Sequence, residues 1–133
     1  MSDPRRIKPL PVIDPLARFQ LLGKRQREGQ VIVHVAYTAA AWGGSKIRIW
    51  KSTFLCPSDG RRSSRLLFAE NIALYPAWST VRPGASRSFT LIFAPLPASC
   101  TAFDLVEDIP EDGGFLVRGI TRNETDVYHV TLR

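Results

Sequence analysis

Between Val31 and Leu132 apolar and polar residues alternate with a period of two, in short runs separated by turn residues, and no window sustains a helical period. The clearest run is residues 87–93, where Phe89, Leu91 and Phe93 share one face. Pro83 and Gly84 supply the turn before it, and Pro95 and Pro97 close it. Residues 46–51 repeat the pattern, with Ile47 and Ile49 inward and Lys46, Arg48 and Trp50 outward. Residues 101–107 place Phe103 and Leu105 inward. Val31, Val33, Val35 and Tyr37 alternate with Ile32, His34 and Ala36, a strand apolar on both faces and hence central. Residues 66–72, 115–120 and 126–132 read as further strands, and residues 73–78 as a crossover past Pro76. Turns fall at 41–45, 57–64, 110–114 and 122–125. Seven or eight strands at this spacing predict an all-β chain folded as a β-sandwich.

Upstream the pattern changes. Pro4, Pro9, Pro11 and Pro15 fix φ and remove backbone donors, so residues 1–16 are expected to form an extended arm. Residues 17–133 form the domain, opening with a strand or helical turn over 17–22 and a basic loop over 23–29. A length of 133 residues with 44% hydrophobic content suits one folded domain. No apolar run approaches the roughly 20 residues of a membrane span. The amino terminus carries basic residues without an apolar core or a small-residue cleavage site, which predicts a cytoplasmic protein. Cys56 and Cys100 are then expected as reduced thiols; a disulfide across the sheets is the alternative for a secreted sandwich.

Charge is unevenly placed. Residues 1–65 hold thirteen Lys and Arg against four acids, and residues 66–133 hold five Arg against eight acids. Such polarity predicts an acidic partner at one end or self-assembly between unlike surfaces, against the plainer reading of a solvated basic loop and tail. Lys24, Arg25 and Arg27 in one loop, with Arg61, Arg62 and Arg65 in another, would make a phosphate-backbone footprint if the loops converge. Arg48, Trp50 and Lys51 would add a stacking platform for single-stranded nucleic acid. The spacing matches no RRM, KH or cold-shock signature.

Catalytic and metal chemistry find little support. His34, His129, Cys56 and Cys100 make a two-Cys, two-His inventory, but they lack the close pair that structural zinc sites use. Neither cysteine sits in a recognisable nucleophile context. Glu107, Asp108, Glu111 and Asp112 lack calcium-loop spacing and read as solvated turn acids. No metal, no cofactor and no catalytic residue is expected. Trp42 and Trp78 stand near turns as plugs for the sandwich ends, and Trp50 is the better binding anchor because its in-phase neighbours are charged.

Residues 69–72 (Ala69, Glu70, Asn71, Ile72), the Pro83–Gly84 turn, the Phe-rich strand from Phe89 to Phe93, and the aromatic-Asp-aliphatic pattern of Phe103, Asp104 and Leu105 together resemble the carboxy-terminal half of small bacterial immunoglobulin-like domains of unassigned function. The likeness covers about residues 65–108, implies an immunoglobulin-like β-sandwich, and implies no activity. The expected function is a non-enzymatic protein-interaction module or a structural subunit of an assembly. The arm would dock on a protein partner or a second copy, Arg5, Arg6 and Lys8 pairing with acids while Leu10, Val12 and Ile13 grip apolar surface and Trp50 anchors the domain. The alternative expectation is a nucleic-acid-binding accessory domain using the basic loops 24–27 and 61–65.

Overall fold

The structure is a computed structural model, and it describes residues 29–42, 45–58, 60, 64–111 and 113–132. The arm over 1–16, the segment 17–22 and the loop 24–27 lie outside the described residues. All regular structure among the described residues is β. The strands are β1 (Val31–Thr38), β2 (Ser45–Ile47), β3 (Phe54–Pro57), β4 (Ser64–Glu70), β5 (Ser79–Val81), β6 (Ser86–Phe93), β7 (Ala102–Val106), β8 (Leu116–Thr121) and β9 (Val127–Leu132). No helix among these residues is long and apolar enough to cross a membrane.

Seven strands form one mixed sheet in the order β9-β1-β6-β4-β3-β7-β8. The β9–β1 pair is parallel and the other pairs are antiparallel. The remaining two, β2 and β5, pair with each other in a separate small sheet. That makes nine described strands where seven or eight were expected. The extra strands are β3, beyond the run 46–51 read as one strand, and β5, three residues just past the crossover read over 73–78.

The large sheet rolls up. In a flat sheet β7 and β9 would stand five strand spacings apart, about 24 Å. Yet the rings of Phe103 on β7 and Tyr128 on β9 meet edge to face with centroids 4.9 Å apart. The corner falls at β3 and β4, which share only the pairs Phe54↔Arg65 and Leu55↔Ser64. Register shifts between Leu66 and Phe68, and between Phe103 and Leu105, bend the strands further.

Rolling gathers the in-phase apolar residues into one core. Val31, Val33 and Val35 of β1, Phe89, Leu91 and Phe93 of β6, Leu55 of β3 and Phe103 and Leu105 of β7 are all buried there. The period-two expectation for these runs therefore holds. Pro83 and Gly84 do make the turn before β6: Ala85 N donates to Arg82 O at 3.0 Å, with Gly84 at φ 72°, which glycine adopts without strain. Ile49 is pinned across the core by a bridge to Leu74, carrying the chain from the small sheet onto the mouth of the roll.

Candidate functional site

At that mouth lies an open cavity of about 380 Å³, within the range of ligand-binding clefts. Its apolar wall comes from strand ends and neighbours of the core, among them Tyr37, Ile47, Phe89, Phe115 and Leu132. Four charged side chains converge on it: Lys46, Arg48, Glu107 and Glu111. They come from two segments, β2 with the residues just after it, and the β7–β8 connection.

Arg48 organises the site. Its guanidinium carbon lies 3.7 Å from the ring centroid of Trp78, 4.6 Å from Tyr75 and 5.8 Å from Trp50. Trp50 and Tyr75 stack on each other with centroids 3.9 Å apart. Nη2 of Arg48 donates to Glu111 Oε1 at 2.9 Å, and Nη1 donates to the Pro76 carbonyl at 3.3 Å. Nε is buried with no hydrogen-bond partner among the described residues. A guanidinium over aromatic faces is worth about 0.5–2 kcal/mol, depending on how far it is desolvated. The ion pair contributes less, because the Glu111 side chain is 48% exposed and water screens it.

Glu107 is the second unusual group. It is buried, and burial raises its carboxyl above the ordinary 4.5, opposed by hydrogen bonds from the backbone N–H of Trp50 and Phe115 and by the charge on Arg48. The Trp50 N–H lies 3.3 Å from Glu107 Oε2. The main chain here is equally close: a Cβ at Gly114 would press into the Glu107 carbonyl oxygen, so this turn needs glycine.

The raised carboxyl has a consequence for stability. A carboxyl whose folded value exceeds its unfolded value contributes stability that is fully present below pH 4.5 and is lost as pH rises through the folded value. Glu107→Gln is therefore expected to flatten that segment of the stability–pH curve and to leave stability at pH 7 unchanged or improved. Urea midpoints measured from pH 4 to pH 8 check it. A Gln variant with the same slope as the parent would show that Glu107 does not carry this dependence.

Several expected site residues stand differently in the structure. Trp50 and Arg48 are not outward side chains beside Lys46. Trp50 is half-buried under Tyr75, and the Arg48 side chain is 11% exposed, because the chain after β2 bends over the core instead of continuing as a strand. Trp42 is no plug, being 86% exposed, and Trp78 is half exposed. Glu107, read as a solvated turn acid, is buried. Arg65 is exposed on β4. Arg5, Arg6, Lys8, Leu10, Val12, Ile13, Lys24, Arg25, Arg27, Arg61 and Arg62 lie outside the described residues.

Cys56 and Cys100 are both free thiols, half-buried and buried respectively. His34 and His129 do come together, as register partners on β1 and β9 with rings 5.0 Å apart. Sequence reading missed Tyr75 and Trp78 as companions of Arg48, and it missed the histidine pairing. The aromatic-rich stretch from Tyr75 to Trp78 was the available signal for the first; nothing in the residue pattern signals a parallel pair between the first and last described strands. No protein-family model matches this chain, and neither a curated protein nor a solved structure matches it.

Proposed function

We propose that the chain is an immunoglobulin-like β-sandwich acting as a non-enzymatic interaction module, or as a subunit of a larger assembly, with its protein-binding surface at the mouth of the rolled sheet. The observation that carries this reading is the cluster of Arg48, Trp50, Tyr75 and Trp78. Trp, Tyr and Arg are the residue types in which protein–protein binding energy concentrates. Here they are pre-stacked, so little side-chain entropy remains to be lost on docking. Trp78 and Tyr75 are 50% and 46% exposed, leaving apolar ring surface for a partner to cover. The arm adds Arg5, Arg6 and Lys8 as charged contacts and Leu10, Val12 and Ile13 as apolar ones.

The test is affinity capture of the tagged full chain from its native lysate, with and without nuclease, beside Trp78→Ala and a chain lacking residues 1–16. A defined protein set that survives nuclease and is depleted with both variants is expected. Against the purified partner, Trp78→Ala should weaken binding about thirtyfold, the effect of losing about 2 kcal/mol at a hot spot. The same set recovered undiminished with both variants overturns the reading. Loss of the set on nuclease treatment makes nucleic acid the partner instead, with the basic loops 24–27 and 61–65 as its contacts.

A further inference from the structure

Arg48 and Arg122 offer the same pair of donors and use them differently. On Arg122 the edge formed by Nε and Nη2 is filled, each nitrogen donating to one oxygen of Asp126. On Arg48 that edge is half filled: Nη2 donates to Glu111 Oε1 at 2.9 Å, and Nε is buried without a hydrogen-bond partner among the described residues. A buried donor left unmet costs free energy, so an acceptor that reaches it recovers what folding did not supply. Glu111 is also a replaceable partner. Its side chain is 48% exposed, and an ion pair open to water is exchanged at little cost. Arg48 and Glu111 both line the cavity of about 380 Å³ at the mouth of the roll, beside an apolar wall that includes Ile47, Phe89, Phe115 and Leu132.

From this half-filled fork beside an apolar cavity we infer a binding site for a small apolar monocarboxylate. The Nε–Nη2 edge of Arg48 takes its carboxylate in exchange for Glu111, and the cavity takes its hydrocarbon body. A guanidinium fork matches a planar carboxylate with two parallel N–H···O bonds. The Arg48 guanidinium already lies over the Trp78 ring, 3.7 Å from its centroid, so little ordering remains to be done when the ligand arrives. Charge limits the ligand to one negative group. Glu107 and Glu111 line the cavity with Arg48 and an exposed Lys46, so a phosphate or a dicarboxylate would meet carboxylates with its second charge. Burial pushes the Glu107 carboxyl up, favouring its uncharged form and lessening its repulsion of a single bound carboxylate. An ammonium ligand would instead face Arg48 and Lys46. The volume, near the small end of the range for ligand clefts, sets the scale of the hydrocarbon body.

The test is isothermal titration of the tag-free full chain at pH 7 with sodium octanoate. Octanol and octylammonium chloride serve as bodies of the same length carrying no charge and the opposite charge. One octanoate per chain is expected, with both comparison ligands at least about tenfold weaker, because neither can accept charge-assisted bonds from the fork. Arg48→Lys, which keeps the charge and loses the fork, should lower octanoate affinity about tenfold. Glu111→Gln, at a half-exposed side chain, should raise it about threefold by removing the competing carboxylate. Should Arg48→Lys fail to fold, the ligand series on the parent and Glu111→Gln still decide the matter. Absence of octanoate binding to the parent at millimolar ligand, octanol or octylammonium binding as tightly as octanoate, or an affinity in Glu111→Gln no higher than the parent's overturns the inference. The titration uses the isolated chain, so its failure leaves the protein-binding reading standing.

Discussion

Asp126→Ala is expected to destabilise the fold by about 3–5 kcal/mol, the cost of breaking a buried ion pair by removing one partner. Asp126 is 1% exposed and stands just before β9 with φ at 55°, a conformation that Asp tolerates. Arg122 grips it as a fork, Nε to Oδ1 at 2.5 Å and Nη2 to Oδ2 at 2.9 Å. The Tyr128 hydroxyl donates to Oδ1 at 2.8 Å. Burial, with this hydrogen bond and the Asp126 charge, pushes the phenol up to about 12, so it keeps the proton it donates. Nη1 of Arg122 meanwhile donates to the carbonyls of Pro97 and Cys100, tying the β6–β7 connection to the same carboxylate.

Removing Asp126 leaves a nearly buried guanidinium without its counter-charge and a buried hydroxyl without its acceptor. Urea unfolding measures the loss as a lower midpoint with an unchanged slope. The charge argument is checked by Arg122→Met combined with Asp126→Asn, which keeps a residue suited to the positive φ. This double variant should cost less than Asp126→Asn alone, because no charge is stranded. A loss below about 1 kcal/mol in Asp126→Ala would place the holding force elsewhere.

Much of the strand content was legible because burial and alternation obey the same period. Phe89, Leu91, Phe93, Phe103 and Leu105 point inward as their spacing requires, and the Pro83–Gly84 turn sits where its residues demand. The turn at 122–125 was legible as well, and Asn123 Oδ1 there accepts the N–H of Thr125 and of Asp126. Lys46 to Trp50 misled for a physical reason. Alternation persists through residues 46–50, but only Ser45–Ile47 makes a strand; Ile49 then bridges to Leu74, which draws Arg48 and Trp50 against Tyr75 and Trp78. Local pattern sets which face a residue prefers. It does not set which distant segment will lie across that face. The same limit hid the pairing of His34 with His129, which exists only through the order of the strands.

Phe103→Ala is expected to cost a further 3–5 kcal/mol, the usual range for removing a buried Phe from a well-packed core. Phe103 is fully buried, and its ring meets Tyr128 at 82° across the interior of the roll. The strands carrying these rings share no hydrogen bonds and lie at positions six and one of the sheet. Their contact is thus a direct report on whether the sheet rolls. An edge-to-face aromatic pair adds about 0.5–1.5 kcal/mol beyond the area it buries. A double-mutant cycle of Phe103→Ala with Tyr128→Leu, read by urea unfolding, should return a coupling of that size. Leucine keeps apolar volume at 128 and removes the ring, and Tyr128→Phe, which keeps the ring and loses the hydroxyl, separates the aromatic contact from the bond to Asp126. Strict additivity, with coupling below about 0.3 kcal/mol, would mean that β7 and β9 do not meet and that the sheet is more open than described. Measurable coupling would mean that the two ends of the sheet face one core, which holds the cavity mouth at the ends of β1 and β9 in shape.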